Sequence, residues 1–479
     1  MTETWLDLLS PRSTSNAPAV VTDRGTWSGR QLMARAAGGA DFLDSIDAPI
    51  GAPVVTLLTS TPSAFALTIG AAATDRALAP LGPRLTIAEL VPCVDALNAA
   101  VIVTDAASES LGQELAARTG LRLATLPELV ESQRRLPTSI GADRPAAILH
   151  TSGTTGIPKA VAYTQGRLAA RVRVNSQLVG LGPGTVYASA SPFHHIAGLG
   201  MLFVAMGSGA ALMSLPRFDV ESWRGLGRRG VTHALAVPTM IERLLDADAL
   251  ALPGLRVLQY GASSIDPNTL ARAIQALPGV RFVNLFGQTE GSPITALTMD
   301  DHERAAAGRP DLLGSVGRAA PGVEVVIDTP DDLGVGEVWA RAEHLFKPDP
   351  DGWLRTGDLG RLDDEGYLFL SGRKGDKIIR GGENVYPIEV ELVLTSHPAV
   401  AEACVFGLPD RTLGEIVAAA VVPTPGAELP SWDALHTYAR RSLAGFKVPS
   451  RWEQVAELPR NATGKVLRRK LVAERAALD

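Results

Sequence analysis

Short apolar runs alternate along most of this chain with longer stretches whose apolar positions recur every three or four residues. Residues 54–58, 100–103, 146–149 and 257–260 are apolar and strand-like, and runs without polar alternation fit strands buried on both faces. Between such runs lie Ala/Leu/Arg-rich segments with helical spacing, among them 28–43 and 269–277. Strand and helix in alternation predict an α/β fold with a large N-terminal body of mostly parallel sheets. Around 318–338 the runs shorten and Pro-Gly and Asp-rich turns appear, which predicts a small antiparallel β subdomain. Gly372-Arg373-Lys374-Gly375-Asp376 then interrupts the pattern. Beyond it, helix 385–394, strands 400–405 and 416–422 and helix 435–443 make a compact α+β unit of about one hundred residues. The boundary is placed after Lys374, giving domains 1–374 and 375–479.

Composition narrows the class. At 479 residues the chain exceeds what one core usually serves, in keeping with two domains. Apolar content of 46% with 20% charged residues is globular, so no segment reads as disordered. The apolar stretch 196–215 is long enough to span a membrane, but its four glycines and two serines favour a buried helix and strand. The start lacks the basic and apolar regions of a secretory signal. Cys93 and Cys404, far apart, support neither a disulfide framework nor a cysteine metal site. A cytoplasmic protein is expected. Net charge of −6 gives no reason to expect nucleic acid. Five basic and no acidic residues occupy 460–470, and Arg468 to Lys470 read as a solvated basic helix start.

The densest chemistry lies in His150-Thr151-Ser152-Gly153-Thr154-Thr155-Gly156-Ile157-Pro158-Lys159. The loop begins where a strand ends, leaving backbone N–H groups free to face an anion. Thr151, Ser152, Thr154 and Thr155 add hydroxyls, Gly153 and Gly156 allow close backbone approach, and Lys159 supplies a point charge. A polyphosphate is the ligand such a loop suits. The glycine-to-lysine spacing departs from the common P-loop, and Ala160-Val161-Ala162-Tyr163-Thr164 alternates like a strand instead of opening a helix.

Further strings follow in order: Asn284-Leu285-Phe286-Gly287-Gln288-Thr289-Glu290, Arg355-Thr356-Gly357-Asp358, Gly372-Arg373, Gly381-Gly382-Glu383-Asn384 and Asn461-Ala462-Thr463-Gly464-Lys465. With 151–159 they make six strings in register, and Thr26-Trp27-Ser28 and 70–86 match more weakly. In this the chain resembles the adenylate-forming superfamily over nearly its whole length. The likeness is to acyl- and aryl-CoA ligases, beside luciferases and the adenylation domains of peptide synthetases. The resemblance implies that a carboxylate attacks the α-phosphate of Mg-ATP, pyrophosphate leaves, and CoA captures the acyl-adenylate, giving acyl-CoA and AMP. An anion attacking a polyanion needs charge compensation and in-line positioning more than a base. By resemblance, residues 151–159 hold the β- and γ-phosphates, Thr289 touches the α-phosphate and Glu290 coordinates Mg²⁺. Phe286, often Tyr in the family, stacks on adenine beside Gly287, against a wall of Gly261, Ala262 and Ser263. Asp358 binds the ribose with Arg373 assisting; alone, an Asp in such a turn reads as a local cap.

Lys465 is implied to neutralise charge between carboxylate and α-phosphate. The small C-terminal domain is mobile in this family: it rotates between half-reactions, exchanging Lys465 for a face with Gly381 and Gly382 that lines the pantetheine tunnel. Its hinge position is Gly375 here, where relatives have Asp or Lys. In amino-acid-activating relatives the Pro192–Gly198 region supplies an Asp for the substrate ammonium; here His194 and His195 stand there, which argues for a plain carboxylic acid. His195 aligns with a residue between acyl pocket and CoA tunnel, with a histidine satisfied by a backbone carbonyl as the structural alternative. The connection 342–350 is shorter than in relatives, which touches a surface near the domain interface and not the nucleotide site. Two other functions stay open: transfer to the phosphopantetheine of a carrier protein, and an inactive nucleotide-binding homologue. Neither the acid nor the oligomeric state is legible.

Overall fold

Ser28 starts the first long helix, Gly29–Ser45, by a reciprocal cap: its hydroxyl accepts from the Gln31 N–H at 3.3 Å while the Gln31 side chain accepts from the Ser28 N–H at 3.0 Å. Such pairs satisfy two orphan donors of a helix end. Strands β1 (Pro18–Thr22) and β2 (Gly25–Ser28) precede it. The computed structural model describes residues 3–22, 24–138, 140–151, 159–346, 350–460 and 466–476.

The next six strands form one sheet: β3 (Val54–Leu57), β4 (Leu78–Pro80), β5 (Val101–Thr104), β6 (Arg122–Thr125), β7 (Pro145–Thr151) and β8 (Lys159–Thr164). Their order is β6-β5-β3-β4-β7-β8, parallel except for the antiparallel β7–β8 pair. A second sheet takes β9 (Val186–Ser189), β10 (Ala211–Ser214), β11 (His233–Ala236), β12 (Val257–Gly261), β13 (Arg281–Gln288), β14 (Gly291–Leu297) and β15 (Arg318–Ala319). With the first two strands its order is β15-β14-β13-β12-β11-β9-β10-β1-β2. The run from β13 to β1 is parallel and both margins are antiparallel. One apolar core joins the sheets through the helices between them, with Val54, Val101 and Leu149 on one side, Val20, Tyr187 and Leu212 on the other, and Leu32, Leu67, Leu168 and Phe203 from the helices. The stretch 196–215 is a partly buried π-helical turn (Ile196–Gly200), the helix Met201–Ser208, buried through Met206, and β10. No helix among the described residues is long and apolar enough to cross a membrane.

The antiparallel subdomain differs in extent from the expectation. Arg318–Ala319 pairs with β14 in the large sheet. The subdomain itself is β16 (Glu324–Asp328), β17 (Gly336–Arg341), β18 (Leu354–Leu362) and β19 (Leu368–Arg373). The C-terminal unit follows with β20 (Ile378–Arg380), β21 (Glu383–Val385), β22 (Val400–Asp410), β23 (Gly414–Pro423) and β24 (Arg451–Gln454). Helices Pro387–Thr395 and Trp432–Ala439 cover its core of Val385, Val390, Leu394, Val405, Val417 and Leu435. The first helix starts later than predicted because Val385 is claimed by β21. The second ends earlier because Leu443, though buried, lies in the turn beyond it.

The basic segment at the chain's end is also corrected. Arg468, at the start of helix Arg468–Ala476, is not a solvated charge: it donates to Asp376 at 2.7 Å, Glu391 at 2.6 Å and the Val405 carbonyl at 2.8 Å. Just before it, Arg460 and Val466 form an antiparallel bridge and the Leu467 N–H donates to the Pro459 carbonyl at 2.7 Å.

Candidate active site

Parallel strands that are neighbours in a sheet bring their carboxyl ends to one edge, where α/β folds bind ligands. Here β9, β11, β12 and β13 are consecutive neighbours. Their ends deliver His194 and His195, Pro238, Gly261 to Ser263, and Gln288 to Glu290 to the same edge.

The β12 end is held in an unusual shape. Gly261 has φ +152°, and a Cβ there would stand 2.9 Å from the Leu285 carbonyl of β13. Ala262 follows at φ +70°, a left-handed conformation that a residue with Cβ adopts at a cost. Phe286, next along β13 from Leu285, is half-buried against Ile294, Ala340 and Leu354.

Thr289 and Glu290 form the turn between β13 and β14, closed by the Gln288–Gly291 pair. Gly287 permits it, since a Cβ there would meet the Gly291 carbonyl at 2.7 Å. Their carbonyls are anchored from elsewhere. The Tyr163 hydroxyl donates to the Thr289 carbonyl. The Phe346 N–H at 2.7 Å and Arg167 Nη2 at 3.2 Å donate to the Glu290 carbonyl. The Arg167 guanidinium stands over the rings of Tyr163 and Phe346, 5.3 and 5.2 Å from their centroids. With the backbone pinned, the partly exposed Glu290 carboxylate is left without an ion pair among the described residues. Burial pushes the Tyr163 hydroxyl up to about 12, so it stays a neutral donor at working pH. The short connection after β17 therefore bears on the site more directly than expected, because Phe346 belongs to it.

Asp358 and Arg373 are register partners on β18 and β19, with Arg373 Nε 2.8 Å from Asp358 Oδ1. The Asp358 side chain is 10% exposed and that of Arg373 40%. The turn before Asp358 is fixed twice, by the Gly357 N–H donating to Glu337 Oε1 at 3.1 Å and by the Asp358 N–H donating to Thr356 Oγ1 at 3.0 Å. Glu337 also pairs with Lys374 at 2.9 Å, directly before Gly375.

The His194 and His195 rings lie in contact, tilted by 48° with centroids 4.1 Å apart. Burial takes His194 down to about 3, assisted by His195 and Arg84, and His195 down to about 4, so both are neutral near pH 7. The His195 ring makes no hydrogen bond to a backbone carbonyl among the described residues, and its Nε2 is buried without a partner. Gly381 and Gly382, at φ +60° and +90°, form the two-residue turn of the β20–β21 hairpin, which needs two left-handed residues. Gly375 is exposed in a turn closed by the Asp376 N–H on the Arg373 carbonyl at 2.9 Å. A Cβ at Gly375 would stand 3.6 Å from Arg469 Nη2. Lys159 opens β8 opposite Thr151 of β7, so the intervening loop joins two antiparallel strands. Ser152, Gly153, Thr154, Thr155, Gly156 and Lys465 lie outside the described residues. No group of three or more His, Cys, Asp or Glu side chains is arranged to hold a metal among the described residues.

Sequence reasoning missed Tyr163, Arg167, Glu337 and Phe346, which position the site from a distance. The signal for Arg167 was available as a cation on the buried face of helix Gln165–Val179, although its partner could not be named.

Residues 10–348 match the model of the AMP-binding enzyme family, and 389–465 match that of the AMP-binding enzyme C-terminal domain. Among curated relatives, a sulfoacetate–CoA ligase from Cupriavidus necator is 35% identical over 373 residues, 73% of this chain and 71% of that protein. A fatty acid–[acyl-carrier-protein] ligase, ScoC, from Streptomyces coeruleorubidus is 32% identical, covering 95% and 92%. Among solved structures, the o-succinylbenzoate CoA synthetase of Bacillus subtilis in complex with its acyl-adenylate intermediate superposes with a TM-score of 0.86 at 27% identity, covering 97% of each chain.

Proposed function

The chain belongs to the AMP-binding enzyme family, and from that membership we propose a division of labour for its reaction, the ATP-dependent ligation of a carboxylic acid to CoA. A carboxylate oxygen of the acid attacks the α-phosphorus of ATP, forming the acyl-adenylate and releasing pyrophosphate. The CoA thiol then attacks the acyl carbonyl, the thioester forms, and AMP leaves with the oxygen that joined it to the acyl group.

The observation that carries the assignment of roles is the Thr289–Glu290 turn, whose two carbonyls are held by Tyr163, Phe346 and Arg167. Anchored backbone fixes the Thr289 hydroxyl and the Glu290 carboxylate at the sheet edge before ligand arrives, and preorganised groups of this kind lower barriers most. The Glu290 carboxylate, without an ion pair among the described residues, suits Mg²⁺, a hard cation that binds through one or two carboxylates plus phosphate oxygens and neutralises phosphate charge when bound. Asp358 accepts the ribose hydroxyls while Arg373 holds its carboxylate in place. Gly261, Ala262 and Ser263 form the wall opposite the Phe286 ring, and residues 151–159 receive the β- and γ-phosphates. Lys465 supplies positive charge between the two anions in the first step. His195, neutral at working pH, acts as an uncharged wall and hydrogen-bonding group between acid and CoA. Gly381 and Gly382 offer bare backbone to pantetheine once residues 375–479 have turned about Gly375.

The test is pyrophosphate release across aliphatic, aryl and polycyclic acids, with and without CoA, with acyl-CoA and AMP followed by chromatography. Stoichiometric AMP and acyl-CoA for one acid class is the expected result; ATP consumption giving ADP would overturn it. The likeness to ScoC supports a second acceptor, the phosphopantetheine of a carrier protein. Thioester formation on a carrier at rates above those with free CoA would favour that acceptor.

A further inference from the structure

Helix Gln165–Val179 buries a cation that nothing so far accounts for. Arg171 is 3% exposed. Its Nη1 donates to the Ser292 carbonyl at 2.6 Å, while its Nε is buried with no acceptor among the described residues. The titratable groups that face it are the uncharged hydroxyls of Tyr163 and Tyr187, the Arg167 guanidinium one turn earlier and His344; among the described residues no carboxylate pairs with it. The other two buried arginines among the described residues have more acceptors. Arg12 donates to the carbonyls of Met206, Ala205 and Ala210, and Arg76 pairs with Asp44 at 2.6 Å.

The position of Arg171 gives the missing anion a place. Ser292 follows Glu290 by two residues. On the other side, a Cβ on Gly200 would stand 3.3 Å from Arg171 Nη2, and Gly200 ends the π-helical turn that begins directly after His195. The guanidinium thus lies between the His195 segment and the Glu290 segment, and a side chain at 200 would crowd both it and Ile196, whose Cδ1 would stand 2.5 Å from that Cβ. A desolvated cation without a counter-ion is costly, and an arriving anion removes that cost. A guanidinium fork matches a carboxylate or sulfonate through two parallel hydrogen bonds.

We propose that Arg171 binds a second anionic group on the substrate, so that the acid activated here carries a carboxylate or sulfonate at the end remote from the reacting carboxylate. This rests on the reading that the acid is activated between His195 and Glu290. The reacting carboxylate is committed to the α-phosphate, so the anion that meets Arg171 is a different group of the same molecule.

The test compares kcat/KM for pyrophosphate release on acids matched in length, each unsubstituted, with a terminal carboxylate and with a terminal sulfonate. Wild-type enzyme is expected to favour one dianionic series over the unsubstituted acid by about 100-fold or more, towards the roughly 10⁴-fold by which a site built to hydrogen-bond a polar group rejects an analogue lacking it. Which series is favoured distinguishes carboxylate from sulfonate. In Arg171→Met the ratio collapses towards one through loss on the dianionic acid, and Arg171→Lys keeps part of it. A structural role would lower both acids alike and leave the ratio unchanged, which overturns the inference. If Arg171→Met does not fold, the wild-type ratio decides, and preference for the unsubstituted acid at every length refutes it. Turnover of monoacids alone sinks this inference and leaves the ligase reading intact, whereas silence on every acid sinks the ligase reading.

Discussion

Replacing Arg468 by Met tests how the small domain is built and how it holds the lysine-bearing segment. Its three guanidinium nitrogens each have an acceptor, in Asp376, Glu391 and the Val405 carbonyl, and Glu391 also accepts the Val405 N–H at 2.8 Å. Burial opposes the charge of Arg468, yet the nearby carboxylates outweigh it and raise its pKa. The three side chains are 22%, 20% and 18% exposed. Removing one member of a buried ion pair costs about 3–5 kcal/mol because the partner charge is stranded. Two carboxylates are stranded here, but water reaches about a fifth of each, so the low end, about 3 kcal/mol, is expected. Hydrogen exchange followed by mass spectrometry should show amides of β22 and of helix Pro387–Thr395 exchanging about 100-fold faster, since 1.36 kcal/mol is tenfold. The first sheet of the body should be unchanged. Asp376→Asn added to Arg468→Met should cost less than the sum of the single changes, by about 1–2 kcal/mol. Because helix Arg468–Ala476 follows Lys465 after two residues, adenylation should slow as well. Exchange within threefold of wild type, or strict additivity of the pair, would refute the reasoning.

Tyr163→Phe removes the donor to the Thr289 carbonyl and should destabilise by about 1 kcal/mol. It should also lower adenylation kcat/KM about tenfold, equally from pH 6 to 9 because the hydroxyl titrates near 12; an unchanged pyrophosphate-release rate would show that the anchor is dispensable. His302 is buried with Nδ1 donating to the Thr298 carbonyl at 2.7 Å, which leaves Nε2 to accept from the Tyr260 hydroxyl at 2.8 Å, and burial lowers its pKa from 6.5 to about 4. The unfolded chain then binds the extra proton first, so stability is complete above about pH 6.5 and falls as pH drops towards 4, by up to about 3 kcal/mol from this group. Urea unfolding of wild type and His302→Gln between pH 7.5 and 4.5 should show a shallower pH slope for the variant, and parallel slopes would count against it. Gly375→Pro should leave pyrophosphate formation intact while slowing thioester formation, and single-turnover assays showing equal loss in both steps would remove Gly375 from the hinge role.

Much of this architecture was legible because local chemistry and global fold agree. Runs such as Val54–Leu57 and Val257–Gly261 are buried on both faces, and Ser28 with Gln31 signals a helix start by side chains alone. The strand reading of 160–164 held because its alternation matches the burial of Val161 and Tyr163. What could not be read is set by partners far away in sequence. Tyr163 meets Thr289 across 126 positions and Arg171 meets Ser292 across 121, and no periodicity encodes such pairs. Arg468 misled for the same reason: three adjacent basic residues look solvated until Asp376 and Glu391 are brought beside the first. The β subdomain's limits were blurred because Arg318–Ala319 has the same turn-rich composition as the strands after it, yet pairs with β14.

The central claim is that the acid's own carboxylate oxygen attacks the α-phosphorus of ATP, and oxygen tracing tests it most directly. An accepted acid doubly labelled with ¹⁸O in its carboxylate is turned over with ATP and CoA, and the products are weighed by mass spectrometry. One ¹⁸O in AMP, one in the thioester carbonyl and none in pyrophosphate is the predicted result. Label in pyrophosphate or inorganic phosphate, with unlabelled AMP, would contradict it.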